Sequence, residues 1–237
     1  MDNTVQENGT IREFGSEFGM PRPTNFEGID FENITIWSEC KPLGAQNLVL
    51  EDIIEELRRT PDCIKKHIAA IILSPFDHPY GEGRFASVCD CPGYIIIYKH
   101  ADSRKSLKER LEKIGTIRHE TGHIIDRKIK SKSDVIMFSC GQEWAEAKRL
   151  DSTIKKSSKT LPIDWCLGNA EDYSNKYSME WGLQEDFADS VRFFTGNDAW
   201  KDMLRKNYPH RYDILNELFR CLDIKRSARI GKTKIRC

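Results

Sequence analysis

His119, Glu120 and His123 are the residues of this chain whose types and spacing can do chemistry, in the run His119-Glu120-Thr121-Gly122-His123. Residues four apart lie on one face of a helix, one turn from each other. Two imidazoles so placed can close on a single metal ion. The carboxylate of Glu120 follows the first imidazole and can reach a water beside the same ion. An H-E-x-x-H pattern of this kind is the beginning of a hydrolytic zinc site, with Glu120 as its general base.

Such a site needs a third protein ligand and an open fourth position for water. A histidine at the sixth position after His123 would mark the three-histidine class, but that residue is Ile129. His67, His78, His100 and His210 have no helical spacing to the pair. The alternative is an acid from a second helix, and Glu185-Asp186-Phe187-Ala188-Asp189 supplies one. Glu185 and Asp189 share a face. Glu185 can bind zinc while Asp189 accepts a hydrogen bond from the outer nitrogen of a ligand histidine, fixing its tautomer and orientation. Asp186 lies off this face. Glu171, Asp172 and Glu180 are rival ligands. Asp126, three residues after His123, can brace a ligand histidine, cap the helix interior, or pair at the surface with Arg127 or Lys130.

Elements must hold these groups in place. Partial alternation of Ile29, Phe31, Ile34 and Ile36 predicts a short strand within 26–37. Val49, Ile53, Ile54 and Leu57 predict a helix over 49–59, with a second short helix after Pro61. The apolar run 68–73 reads as a buried strand, and 84–98 as two strands about a Pro92-Gly93 turn. A helix from Ser103 can run through Gly115 and the histidine pair to about Ile129. Further helices are predicted near 143–150, over 183–195 with Leu183, Phe187, Val191 and Phe194 on one side, and at about 211–223. Gly196-Asn197 stops the second of these. The organisation expected is α+β: one domain over 26–223, with a sheet-bearing half to about 130 and a helical half from 131. A flexible arm (1–25) and a basic tail (224–237) flank it.

H-E-T-G-H-I-I-D, followed about sixty residues later by E-D-F-A-D-S-V-R-F, resembles the anthrax lethal factor-like family of zinc peptidases, which includes secreted Pro-Pro endopeptidases. The resemblance covers about residues 68–195 and is specific at these two motifs. It implies a zincin-like fold, with a small mixed sheet whose edge strand lies beside the active-site helix. It implies one zinc ion held by His119, His123 and Glu185, with Glu120 as base. It also implies a tyrosine that steadies the oxyanion; Tyr177 matches best, Tyr173 second. Asp189 stands where the family more often has Glu; the nearer analogue is thermolysin-like, where an Asp one turn after the Glu ligand orients a histidine. An extended peptide, in this family often proline-rich, would pair with the strand Tyr94–Tyr98 as a sheet edge. The function implied is a zinc endopeptidase, of a kind often found as an exported effector or toxin. A catalytically inactive binding protein of the same fold and a zinc-dependent amidase are the alternatives.

Composition sets outer bounds. Apolar residues make up 39% of 237, enough for a packed core. The 37 basic and 37 acidic side chains cancel, so net charge gives no reason to expect a nucleic-acid partner. The tail Lys225–Cys237 carries six basic residues and no acid, but no aromatic to stack on bases. No run approaches the ~20 apolar residues of a membrane span. No conventional signal peptide is visible at the start, so the expectation is a cytoplasmic chain or one exported by another route. The eight cysteines, among which no C-x-x-C pair occurs, are expected to be reduced.

Overall fold

The computed structural model describes residues 26–39, 46–74, 86–88, 93–98, 115–129, 137–154 and 176–220. The expected N-terminal arm, the basic tail and the start of the helix from Ser103 lie outside these residues. Five strands form one mixed sheet: β1 (Phe26–Phe31), β2 (Ile34–Glu39), β3 (Ala70–Leu73), β4 (Ala86–Val88) and β5 (Tyr94–Ile97). Their order is β1-β2-β3-β5-β4. The inner neighbours β2, β3 and β5 run parallel, and both outer strands are antiparallel to them. The arrangement is α+β, with a mostly helical remainder.

The sequence explains which strands are central. β3 (Ala-Ile-Ile-Leu) and β5 (Tyr-Ile-Ile-Ile) are continuous apolar runs, buried almost throughout. Strands covered on both faces need such runs, because neither face meets water. β2 alternates instead, with Ile34 and Ile36 buried between half-buried neighbours. β1 exposes Gly28, Ile29 and Asp30, as an edge strand does.

Two expectations for the sheet are corrected. The single strand expected within 26–37 is a hairpin, which turns at Glu32 with φ 55. Tyr94–Ile97 is not an edge: it lies between β3 and β4, and Ala86–Val88 is the outer strand on that side. The run of three isoleucines is too apolar to leave unpaired, whereas the three-residue β4 ends the sheet with little open backbone. Pro92 of the expected Pro92-Gly93 turn lies outside the described residues, and Gly93 is described. Gly93 has φ +97, and a Cβ there would meet the His67 carbonyl oxygen at 2.9 Å.

The helices are α1 (Gln46–Arg59), α2 (Asp62–Lys65), α3 (Thr116–Lys128), α4 (Gln142–Ser152), α5 (Lys176–Phe194), α6 (Asp198–Asn207) and α7 (209–220). α3 begins at Thr116 rather than continuing an earlier helix, because Gly115 takes φ +64. That left-handed conformation costs glycine little and breaks a right-handed path. α5 starts seven residues earlier than the apolar stripe predicted, at Lys176 rather than 183. The sequence reading missed α6. Its start is legible afterwards: the Asn197 side chain accepts from the Trp200 N–H at 3.0 Å, an N-cap bond. Pro209 opens α7, where its missing N–H costs nothing.

The chain divides into two compact units, residues 1–60 with 64–124, and 61–63 with 125–237. In the first, Ile53 and Leu57 of α1 and Ile117 and Ile124 of α3 share one cluster with Ile34, Ile36, Ile71, Ile95 and Ile97 of the sheet. Ile117 and Ile124, seven residues apart, thereby fix which side of α3 faces the sheet. In the second, Trp144, Phe187 and Phe138 pack edge to face, with ring centroids 4.8 Å apart for Trp144–Phe187 and 5.7 Å for Phe138–Phe187. No helix among the described residues is long and apolar enough to cross a membrane.

Candidate metal centre

α3 turns its core face to the sheet through Ile117 and Ile124, and about 100° of rotation per residue then leaves His119 and His123 on another side. Both histidines are half-buried. Their rings meet edge to face, 4.9 Å between centroids. Glu120 is buried, 7% exposed.

One nitrogen each of His119 and His123 and one carboxylate oxygen of Glu185 lie within 4.8 Å of one another. A tetrahedral zinc about 2.1 Å from each ligand spaces them about 3.4 Å apart, and the group is one that could hold a metal ion. Two imidazoles and one carboxylate are also the donor set zinc takes in hydrolytic centres. The residues fit the ion.

Buried ion pairs stand beside the ligands. Arg118, directly before His119, places Nη2 3.3 Å from Glu56 Oε1 and donates to the Arg59 carbonyl at 3.4 Å, tying α3 to the end of α1. Thr121 Oγ1 donates to the Ile117 carbonyl at 2.7 Å. Asp126 is buried, 1% exposed. It accepts from the Ser139 N–H at 2.7 Å and from the Ser139 hydroxyl at 2.6 Å. It therefore pins the segment that leads into α4.

On α5, Asp186, Asp189 and Arg192 are buried and Glu185 half-buried, so these acids do not form a solvated helix face. Asp189 Oδ1 lies 3.0 Å from Arg192 Nη2, one turn on. Asp186, which the sequence reading left without a task, accepts from Trp144 Nε1 at 3.1 Å and from Arg211 Nη1. Burial pushes its carboxyl above the usual carboxylate range, against the opposing pull of Arg211. Arg211 Nε also donates to Asp151 at 3.0 Å. Nothing in local spacing announces this network, because its members are up to 67 residues apart in sequence (Trp144 to Arg211).

Tyr177 lies in the first turn of α5, eight residues before Glu185. On an unbroken helix that offset amounts to about 12 Å along the axis and about 80° around it. Its side chain, and those of Tyr173, Glu171, Asp172 and Glu180, are outside what the structure describes. Among the described residues Cys63 and Cys140 are half-buried. No protein-family model matches the chain, and no curated protein sequence matches it.

Proposed function

We propose that this chain is a zinc-dependent endopeptidase. The observation that carries the reading is the convergence of His119, His123 and Glu185 from two helices, with Glu120 beside them on α3. The zincin-like fold, and a role as an exported or toxin-like protease, belong to the same proposal.

When bound, zinc supplies Lewis-acid polarisation of the scissile carbonyl and acidifies water. His119, His123 and Glu185 would hold it. Glu120 takes the proton of the attacking water and later returns it to the departing amine. Tyr177 is the candidate to steady the oxyanion.

The test combines metal content with cleavage of a peptide library by wild type and by Glu120→Gln. Stoichiometric zinc in both, with cleavage only by wild type, is the expected result. Cleavage undiminished by Glu120→Gln would overturn the peptidase reading. Zinc bound by both variants with cleavage by neither would favour a binding protein of the same fold.

A further inference from the structure

Glu185 is fixed to its helix, so its aim depends on what fixes the rotation of α5. We infer that Arg211 is a positioning residue for the metal ligand Glu185, acting through Asp186; this rests on the metal reading above. Asp186 immediately follows Glu185, and successive helical residues are about 100° apart. Whatever holds the Asp186 carboxylate therefore sets the direction of Glu185.

That carboxylate is held on both oxygens. Oδ1 accepts from Arg211 Nη1, and Oδ2 accepts from Trp144 Nε1 at 3.1 Å. Asp186 and Trp144 are both fully buried, and Arg211 is 2% exposed. Arg211 is itself fixed from three directions. Its Nε donates to Asp151 Oδ2 at 3.0 Å. Its guanidinium lies 4.3 Å from the Tyr208 ring centroid. Its backbone N–H donates to Asp151 Oδ2 at 3.2 Å, while the His210 N–H donates to Asp151 Oδ1 at 3.0 Å. Asp151 thus serves the first turn of α7 as an N-cap residue would, from a different helix.

The result is a junction of α4, α5 and α7 around one guanidinium. The planar fork serves Asp151 from Nε and Asp186 from Nη1, two nitrogens held apart on a fixed stem; an ammonium, with its three donors on one nitrogen, does not reproduce that spacing. Two buried carboxylates sharing one cation also resist rearrangement, since a carboxylate that left the guanidinium would itself be buried without its ion pair. The rotation of α5 is set at this junction, and the ligand oxygen of Glu185 with it.

The test is zinc affinity, by competition with a chromophoric chelator, together with the visible spectrum of the cobalt-substituted protein. Thermal melting of the metal-free protein is recorded alongside. Arg211→Lys should bind zinc about tenfold more weakly or worse, the range typical of lost outer partners of a metal ligand, with an altered cobalt spectrum. Trp144→Phe keeps an aromatic ring but loses the pyrrole half of the indole with the N–H that Asp186 accepts, and should weaken binding in the same direction by a smaller factor. Arg205→Lys, in an exposed pair with Asp202, is the control and should leave affinity unchanged. A lower melting temperature with wild-type affinity and spectrum in both buried variants would make Arg211 merely structural and overturn the inference. A wild-type protein that binds neither metal would overturn the metal reading and this inference together.

Discussion

Replacing Asp126 with alanine should cost about 3–5 kcal/mol of folding stability, because the carboxylate holds Ser139 twice. The bonds are 2.7 Å to the backbone N–H and 2.6 Å to the hydroxyl, in a place where Asp126 is 1% and Ser139 0% exposed. A hydrogen bond to a charged group contributes about 1.5–3 kcal/mol, and a buried donor left without a partner costs about 1–3 kcal/mol. Ser139→Ala removes only the hydroxyl bond and should cost about 1.5–3 kcal/mol. The double variant should be hardly less stable than Asp126→Ala, since the hydroxyl bond can be lost only once. The coupling energy is then about 1.5–3 kcal/mol. The assay is urea unfolding with a chelator present, so that metal linkage does not enter, read as midpoint shifts at constant slope. Asp126→Asn should fall between wild type and alanine, since its amide oxygen can still accept from the Ser139 N–H. If the two single effects add to within about 0.5 kcal/mol, the bonds are not what makes Asp126 matter, and the reasoning fails.

Other expectations follow from the same geometry. Zinc at a thousandfold excess over its dissociation constant should stabilise the folded chain by about 4 kcal/mol, and Glu185→Ala should abolish most of the resulting rise in melting temperature. Phe187→Ala, at a fully buried ring packed on Trp144 and Phe138, should cost about 3–5 kcal/mol in equilibrium unfolding. Gly93→Ala should cost about 1–3 kcal/mol, because alanine disfavours φ +97 and its Cβ would press on the His67 carbonyl. A neutral effect there would mean the turn relaxes freely.

Much of the fold was legible because periodicity reports burial directly. Ile53 and Leu57 announced α1, the runs Ile68–Leu73 and Tyr94–Ile97 announced the inner strands, and Phe187, Val191 and Phe194 announced the buried stripe of α5. What failed was connection and order. A run of isoleucines says that a strand is buried but not which strands flank it, so β5 was expected at the edge that β4 occupies. Periodicity in the helix expected from Ser103 concealed the break at Gly115, where φ rather than side-chain pattern decides. α6 is short and largely polar, with only Leu204 and Asn207 buried, so its capping residue was a better signal than its apolar face.

The candidate site divides along the same line. His119 and His123 were legible because their relation is local: four residues on one helix fix the geometry. Glu185 was legible only as one acid among several, since its relation to the pair is made by the fold. Asp186 was misjudged because the Glu185–Asp189 face was read as the part of the helix that matters. Yet every residue from Asp186 to Thr195 is buried, so this stretch of α5 has no solvent side on which to discard a charge. A carboxylate withdrawn from water must find a cation or hydrogen-bond donors, or be protonated. Asp186 and Asp189 find Arg211 and Arg192. Two acids three residues apart among Phe187, Ala188, Val191 and Phe193 are therefore a signal in themselves. Such a helix pays for its charges only if basic partners are delivered to it, and Arg211 is brought from the next helix but one.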